Sequence, residues 1–240
     1  MDGNFSQPPH TDLPERERRD RVLLQSISFY TPREFWVAIR SGITSAYRET
    51  HDANLNDPRI LQTSHGFKTI HDRHYYCDRV LHDASIEFGF PCEPEQIRIN
   101  RWRYAQNAFG PFTLIQKYCH SQGDLPKPAD FRRQLARSGG ISVQADLLRP
   151  HAARVDEPKS YNGILIHGPQ SRVFRSPSFR EIGFICFAIP YDDYSDWGAV
   201  FPIDKLIAEC QNQGMGVGQG GAAGEGLPEP KWKKRPDQEE

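Results

Sequence analysis

Residues 181–190 read EIGFICFAIP, the most apolar run in the chain. In a β-strand, successive side chains point to opposite faces of the sheet. Residues 182, 184, 186 and 188 would therefore face one way, and residues 183, 185, 187 and 189 the other. Because both sets are apolar, the pattern predicts a central strand that is covered on both faces.

Short runs rich in β-branched or aromatic residues lie on both sides of this segment. They are bounded by Gly, Pro, Asp and Ser, as strands commonly are. These runs are ISVQADLL (141–148), YNGILIHG (161–168) and GAVFPI (198–203). The C-terminal half is therefore predicted to be rich in strands.

The N-terminal half has mainly helical patterns, including PREFWVAIRSGITSAYRET (32–50), in which Pro32 stands where a first helical turn tolerates proline. Further helices are predicted around Phe112–Cys119 and over residues 128–140, where Gly139 and Gly140 would end the helix. Helices in one half and strands in the other indicate an α+β fold. We expect a helical N-terminal half packed on a small, mostly antiparallel sheet from the C-terminal half.

This pattern also predicts how the chain is divided. Residues 1–14 are polar and Pro-rich, which is typical of a disordered arm. Residues 15–211 would form a single α+β domain, helical over 15–138 and β-rich over 139–211. Residues 212–240 are Gly-rich and then charged, which indicates a flexible tail.

Composition narrows the class of protein. With 30 basic and 31 acidic residues the net charge is −1, so no overall field steers the chain toward nucleic acid or an acidic membrane. The five cysteines are scattered singly, which argues against a disulfide framework. No apolar run approaches the roughly 20 residues that cross a bilayer. We expect a cytoplasmic protein with reduced thiols and no membrane partner.

Residues 70–87, IHDRHYYCDRVLHDASIE, hold three histidines on one predicted helix. At about 100° per residue, an apolar stripe faces the core and a polar stripe lies beside it. The apolar stripe contains Ile70, Cys77, Val80, Leu81, Ala84 and Phe88. The polar stripe contains His71, His74, Asp78 and His82, at spacings of three, four and four residues.

Imidazole and carboxylate groups at these spacings can offer two ligands to one Zn, Mn, Fe or Mg ion. His71 and His74 are the candidate acid-base residues, and Asp78, His82 and Asp83 the candidate metal ligands. The alternative is that these side chains form ordinary half-buried hydrogen bonds. Cys77 falls on the apolar stripe and is predicted to be a buried apolar residue.

The segment VLHDASIE (80–87) resembles the local His-Asp segment of the HD-type phosphohydrolases. The resemblance covers about eight residues and implies a divalent metal ion held by His82 and Asp83. It further implies that His51 is the earlier histidine ligand and Asp124 the distant aspartate. The β-rich half departs from that family, whose domain is wholly helical.

Two other stretches are candidates for binding phosphate or nucleic acid. IRINRWRYAQNAF (97–109) interleaves basic and aromatic residues, a combination that binds single-stranded nucleic acid. A helix with solvent-exposed arginines explains the same pattern. His167 ends a predicted strand and is followed by arginines, which could bind an anion or lie in a solvated hairpin. The candidates are Arg98, Arg101, Trp102, Arg103, His167, Arg172 and Arg175.

Asp146, Glu157 and Lys159 follow the order of a metal-dependent nuclease, but Pro158 favours a turn there.

The sequence patterns support two functions. The first is a metal-dependent hydrolase that acts on phosphate esters, either nucleic acid or nucleotide. The second is a non-enzymatic protein that binds nucleic acid or another protein, the latter through its tails, and whose histidines are structural. No dinucleotide fingerprint or phosphate-binding Walker loop is present in the sequence, so no nucleotide cofactor is expected.

Overall fold

A computed structural model describes residues 13–96, 103–142 and 160–216. The helices are α1 (Leu13–Tyr30), α2 (Arg33–Leu55), α3 (His65–Glu87), α4 (Asp130–Gly139), α5 (Pro177–Arg180) and α6 (Ile203–Gly216). The strands are β1 (Cys92–Gln96), β2 (Arg103–Phe109), β3 (Phe112–Tyr118), β4 (Tyr161–Pro169), β5 (Ile182–Pro190) and β6 (Trp197–Pro202). A single 3-10 turn, Gln62–Ser64, precedes α3.

The six strands form one sheet in the order β1-β2-β3-β4-β5-β6. All neighbouring pairs are antiparallel except β3 and β4, which run parallel and pair Tyr118 with His167 at their carboxyl ends. Parallel neighbours need a long crossover connection. Here that connection is residues 119–160, which include α4.

Both faces of the sheet are covered by helices. One face carries a large core shared with α1, α2, α3 and α6, in which Trp36, Phe109 and Phe187 are fully or almost fully buried. The opposite face carries a smaller core, in which Ala136 of α4 meets Ile164 of β4. We call the first the helical face and the second the α4 face.

The predicted α+β class is confirmed, because helices dominate the start of the chain and a mostly antiparallel sheet follows. Three of the four predicted strands are also found, as β4, β5 and β6, and most of the fourth, residues 141–148, lies outside the described residues. In β5 the two faces are apolar as expected, with Phe187 in the core of the helical face and Cys186 in that of the α4 face. However, β5 is next to the edge strand β6 and is not central, since β3 and β4 occupy the middle of the sheet.

The helix expected around Phe112–Cys119 was wrong, because these residues form β3 instead. Leu114 enters the core of the helical face and Ile115 that of the α4 face, which is the alternation of a buried strand. The helix that was the alternative explanation of residues 97–109 is also wrong over its described part, because Arg103–Phe109 is β2. The sheet therefore takes half of its strands from a region predicted to be helical.

The ends of the described chain overlap the predicted arm and tail. Helix α1 begins at Leu13, and α6, which was not predicted, continues to Gly216. Residues 1–12 and 217–240, on which the rest of those two predictions falls, lie outside the described residues.

Two further expectations concern the cysteines and the membrane. All five cysteines are free thiols in the structure. None of the helices in the described ranges combines the length and apolar character needed to cross a bilayer.

Candidate functional site

A chain of hydrogen bonds crosses the interface between the helical layer and the sheet. The Tyr47 hydroxyl of α2 lies 2.8 Å from His167 Nδ1 on β4, and His167 Nε2 lies 2.9 Å from Gln116 Oε1 on β3. Because an amide oxygen only accepts, His167 donates from Nε2, and its Nδ1 accepts from Tyr47. Both partners of His167 are thus fixed, together with its tautomer.

The chain continues into the polar stripe of α3. Gln116 Nε2 lies 2.8 Å from both Asp78 Oδ1 and His74 Nδ1, to which its two amide hydrogens can be donated. His74 Nε2 in turn approaches Asp78 Oδ2 to 3.5 Å. The predicted pairing of His74 with Asp78 on one face of α3 is therefore present, and its third member, Gln116, comes from the sheet.

Burial sets the protonation of these groups. It lowers the pKa of His74 to about 4, assisted by the positive charges of Lys117 and His71. Burial likewise lowers the pKa of His167 to about 3 and raises the pKa of Asp78 to about 6. At neutral pH both imidazoles are uncharged, whereas the Asp78 carboxyl is ionised in an interface that disfavours its charge.

We expect Asp78→Asn to be more stable than the wild type at pH 7, by up to about 3 kcal/mol. The asparagine keeps an oxygen that accepts from Gln116 Nε2 and removes a buried negative charge. A carboxyl whose pKa is raised on folding favours the folded state at low pH and loses that contribution as pH rises toward 6. The advantage of the variant should therefore vanish near pH 4.

Urea denaturation followed by circular dichroism at pH 4 and pH 7 measures this difference. Asp83→Asn is the matched control, because Asp83 lies on the same helix with an exposed side chain, and hydrogen bonds from His82 and Arg79 lower its pKa. A variant Asp78→Asn that is less stable than the wild type at pH 7 would contradict the argument.

The remaining predicted metal ligands and acid-base residues of α3 point elsewhere. His71 is exposed and stacks edge-on against Tyr75, with 4.9 Å between ring centroids. His82 and Asp83 lie on the solvent side, where Nδ1 of the imidazole is 3.2 Å from the carboxylate of its neighbour. Among the described residues, no three His, Cys, Asp or Glu side chains are grouped to hold a metal ion. A Zn, Mn, Fe or Mg ion bound to this helix stays a prediction.

The residues implied by the HD-type resemblance are dispersed over several elements. His51 is buried on α2 and its Nε2 lies 3.3 Å from the carbonyl oxygen of Phe174, while Asp124 is exposed in the connection after β3. The wholly helical domain of that family differs from the sheet seen here. The resemblance of residues 80–87 is therefore confined to that local segment.

A second group of polar residues lies where β3 and β4 end. After β3 the chain passes to α4 on the α4 face, and after β4 it passes to α5, whose Phe179 packs on α2 and α3 at the helical face. A Cβ atom at Gly168 would lie 2.3 Å from the carbonyl oxygen of Cys119, so only glycine permits the strand ends to approach this closely. The chain thus leaves two adjacent parallel strands toward opposite faces.

The strand-end site, as we call it, comprises Tyr118, His120, Ser121 and Arg172. Arg172 donates to the Ser121 hydroxyl and lies 3.8 Å from Asp124, which links the loops after β3 and β4. The Tyr118 hydroxyl lies 3.3 Å from His120 Nδ1. Burial raises the pKa of Tyr118, and the positive charges of Arg73 and Arg172 partly oppose that shift.

Only some of the predicted phosphate-binding residues lie at the strand-end site. His167 is fully buried beneath the strand-end site, and its nitrogens are engaged by Tyr47 and Gln116. Arg172 belongs to the site, and Arg175 is exposed in the same loop. Arg103 begins β2, and nothing is described of its side chain. Arg98, Arg101 and Trp102 lie outside the described residues, as do Asp146, Glu157 and Lys159.

The sequence did not single out Tyr47, Gln116 or Arg73. Residues 112–119 fit a helical pattern, and that pattern does not show the alternation of β3 that places Gln116 on the helical face. Tyr47 and Arg73 occupy buried positions of α2 and α3, which bury other polar side chains as well. The spacing of Thr69, Arg73 and Cys77 was the available signal, because Cys77 had already been placed on the core side.

The chain matches no protein-family model, no curated protein and no solved structure in comparisons with each.

Proposed function

We propose that this chain binds a phosphorylated ligand at the strand-end site. The observation that carries the proposal is the departure of the chain to opposite faces after β3 and β4. In sheets with parallel strands, ligands bind in the crevice outside the carboxyl ends of strands at such a switch in direction. Loops at this position are free to contribute polar side chains while the strands hold them in place.

The chemistry of the site favours an anion. Arg172 reaches across from the loop after β4, and arginine pairs with phosphate oxygens through two parallel hydrogen bonds. The Ser121 and Tyr118 hydroxyls supply further donors. Asp124 is the one carboxylate that contacts Arg172 in the described residues, at 3.8 Å, and a phosphoryl group would compete with it.

Hydrolysis of the bound ester is a second candidate, favoured by the contact of His120 with Tyr118. An imidazole beside a bound phosphate ester is suited to proton transfer to or from the leaving group. The candidate metal ligands of α3 lie on another part of the helical layer. The strand-end site therefore supports binding of a phosphate ester more directly than metal-dependent hydrolysis of it.

We expect Arg172→Gln to weaken phosphate binding at least tenfold, because a charge-assisted hydrogen bond contributes about 1.5–3 kcal/mol. Isothermal titration of the full chain with inorganic phosphate and with a nucleoside monophosphate measures the effect. Arg40→Gln is the matched control, since Arg40 is an exposed arginine of α2 that pairs with Asp204, 2.5 Å away on α6. Assaying the same samples for phosphate release, with and without Mg²⁺, Mn²⁺ or Zn²⁺, separates a hydrolase from a binding protein.

Equal affinities of the wild type and Arg172→Gln, or no binding by the wild type, would contradict the proposed site.

A further inference from the structure

Arg73 of α3 is a guanidinium enclosed in the core. Its side chain is fully buried, and its Cζ lies 4.1 Å from the ring centroid of Tyr47 and 4.2 Å from that of Phe179. Nη2 donates to the carbonyl oxygen of Phe179 at 2.7 Å, and Nε lies 3.3 Å from the Thr50 hydroxyl. Two aromatic faces and neutral oxygens therefore surround a full positive charge.

One end of this guanidinium is unsatisfied. Arg73 Nη1 is buried and has no hydrogen-bond partner, although it carries two N–H groups. Arg33 also has a buried unpartnered nitrogen, but it pairs with Glu34. No carboxylate pairs with Arg73 within the part of the chain that the structure describes.

A buried cation without a counter-charge is costly, and burial accordingly lowers the pKa of Arg73. Charges in such places are normally paired, so an unpaired one points to a missing anion. Arg73 is linked to the strand-end site through Tyr47, whose ring lies against the guanidinium and whose hydroxyl is 2.8 Å from His167 Nδ1. The His167 ring packs edge-on against Tyr118 of that site, with 6.2 Å between ring centroids.

We propose that Arg73 is the inner receptor for the phosphoryl group of the ligand, with Nη1 bound to one phosphate oxygen and Arg172 bound to another. This inference rests on the proposed function and assigns its ligand class as a phosphate monoester. Two guanidinium groups match the two negative charges of a phosphate monoester better than the single charge of a carboxylate. The cation-π contacts of Arg73 with Tyr47 and Phe179 hold the guanidinium in place before the ligand arrives.

Access to Arg73 depends on Tyr118. The Tyr118 ring is half-buried, and its hydroxyl is held by a 3.3 Å contact to the exposed His120. The Tyr118 ring also packs edge-on against the buried His167, with 6.2 Å between ring centroids, so rotation of this side chain gives up both contacts. In the proposed complex the phosphoryl group takes the place of the Tyr118 ring.

Arg73→Met tests the inference, because methionine fills much of the same volume without the charge. We expect the wild type to gain several degrees in melting temperature in millimolar inorganic phosphate and Arg73→Met to gain none. The matched control is Arg48→Met, the same substitution at an exposed residue of α2 that pairs with Glu181, and it should respond as the wild type does. Titration with methyl phosphate beside inorganic phosphate tells an ester ligand from the free anion, and binding of either through Arg73 supports the receptor.

A crystal structure of the wild type with phosphate keeps the inference testable if Arg73→Met fails to fold. A phosphate oxygen within hydrogen-bond distance of Arg73 Nη1 confirms it. Phosphate bound to Arg172 but away from Arg73, with Arg73→Met responding as the wild type, overturns the inference and leaves the proposed function standing. Absence of phosphate binding by the wild type overturns both.

Discussion

Lowering the pH from 7 to 4 is expected to reduce the free energy of unfolding by roughly 3–4 kcal/mol, because the loss of about 6 kcal/mol through two buried histidines exceeds the gain of about 2 kcal/mol through Asp78. Burial lowers the pKa of His167 to about 3 and that of His74 to about 4, from an ordinary value near 6.5. A group whose pKa is lowered on folding stabilises the fold above its unfolded pKa. That contribution is lost as pH falls below about 6.5, because the unfolded chain then binds the proton more tightly.

Asp78 opposes this trend in part. Because burial raises its pKa to about 6, protonation of Asp78 increases the free energy of unfolding as pH falls from 6 toward 4. The two histidines decrease it over the same range. Two groups that destabilise on acidification outweigh one that stabilises, so the sign of the net change is a loss.

The comparison of His167→Gln with the wild type isolates the largest of these contributions. Glutamine can accept from Tyr47 and donate to Gln116 without titrating. Urea denaturation at pH 7, 6, 5 and 4 should give the variant a shallower loss of stability with acidification than the wild type. Parallel pH profiles for the two proteins would show that His167 is not the titrating group.

Replacement of Trp36 by alanine is expected to lower the free energy of unfolding by about 3–5 kcal/mol. Trp36 is fully buried on α2, and its ring packs edge-on against Phe35, Phe109 and Phe187 at centroid distances of 5.0–6.1 Å. Its Nε1 donates to the Thr31 hydroxyl at 2.8 Å. The substitution leaves a cavity between the helical layer and the sheet and removes that donor.

Phe29→Ala is the matched control for Trp36→Ala, since the Phe29 side chain is 64% exposed. Its effect should stay within about 0.5 kcal/mol, as is usual for surface substitutions. Chemical denaturation of the three proteins measures both values. A loss below about 1 kcal/mol for Trp36→Ala would mean that the core closes around the missing side chain.

The sequence predicted the fold best where one periodicity was unambiguous. EIGFICFAIP is apolar on both faces and too short for a helix that spans the domain, and it forms β5. The histidine-rich segment has a clear helical stripe, and it forms α3 with Cys77, Leu81 and Ala84 buried as predicted.

Prediction failed where a short apolar run fits both periods. FTLIQKY carries Leu114, Ile115 and Gln116 in succession, and neighbouring apolar residues of this kind are equally compatible with a buried strand and a buried helix. The outcome depends on pairing with β4, a partner 49 residues further along the chain at Phe112 and Tyr161. Local pattern contains no information about such a partner.

The candidate site was predictable only in pieces. His74, Asp78 and His167 were each identified from local pattern, but the contacts that join them pass through Gln116 of β3. Arg73 was missed because a charged residue on the buried face of a helix contradicts the usual rule that arginine stays exposed.

The parallel pairing of β3 with β4 also affects the order in which the sheet folds. β1-β2-β3 and β4-β5-β6 are two antiparallel meanders whose strands are neighbours along the chain, and only the β3–β4 ladder joins them. Each meander can form through short loop closures, whereas the ladder must await closure of the loop formed by residues 119–160. We therefore expect the two halves to gain structure before they associate, so that the sheet edges of β3 and β4 are transiently open to pairing with another molecule during refolding at high concentration.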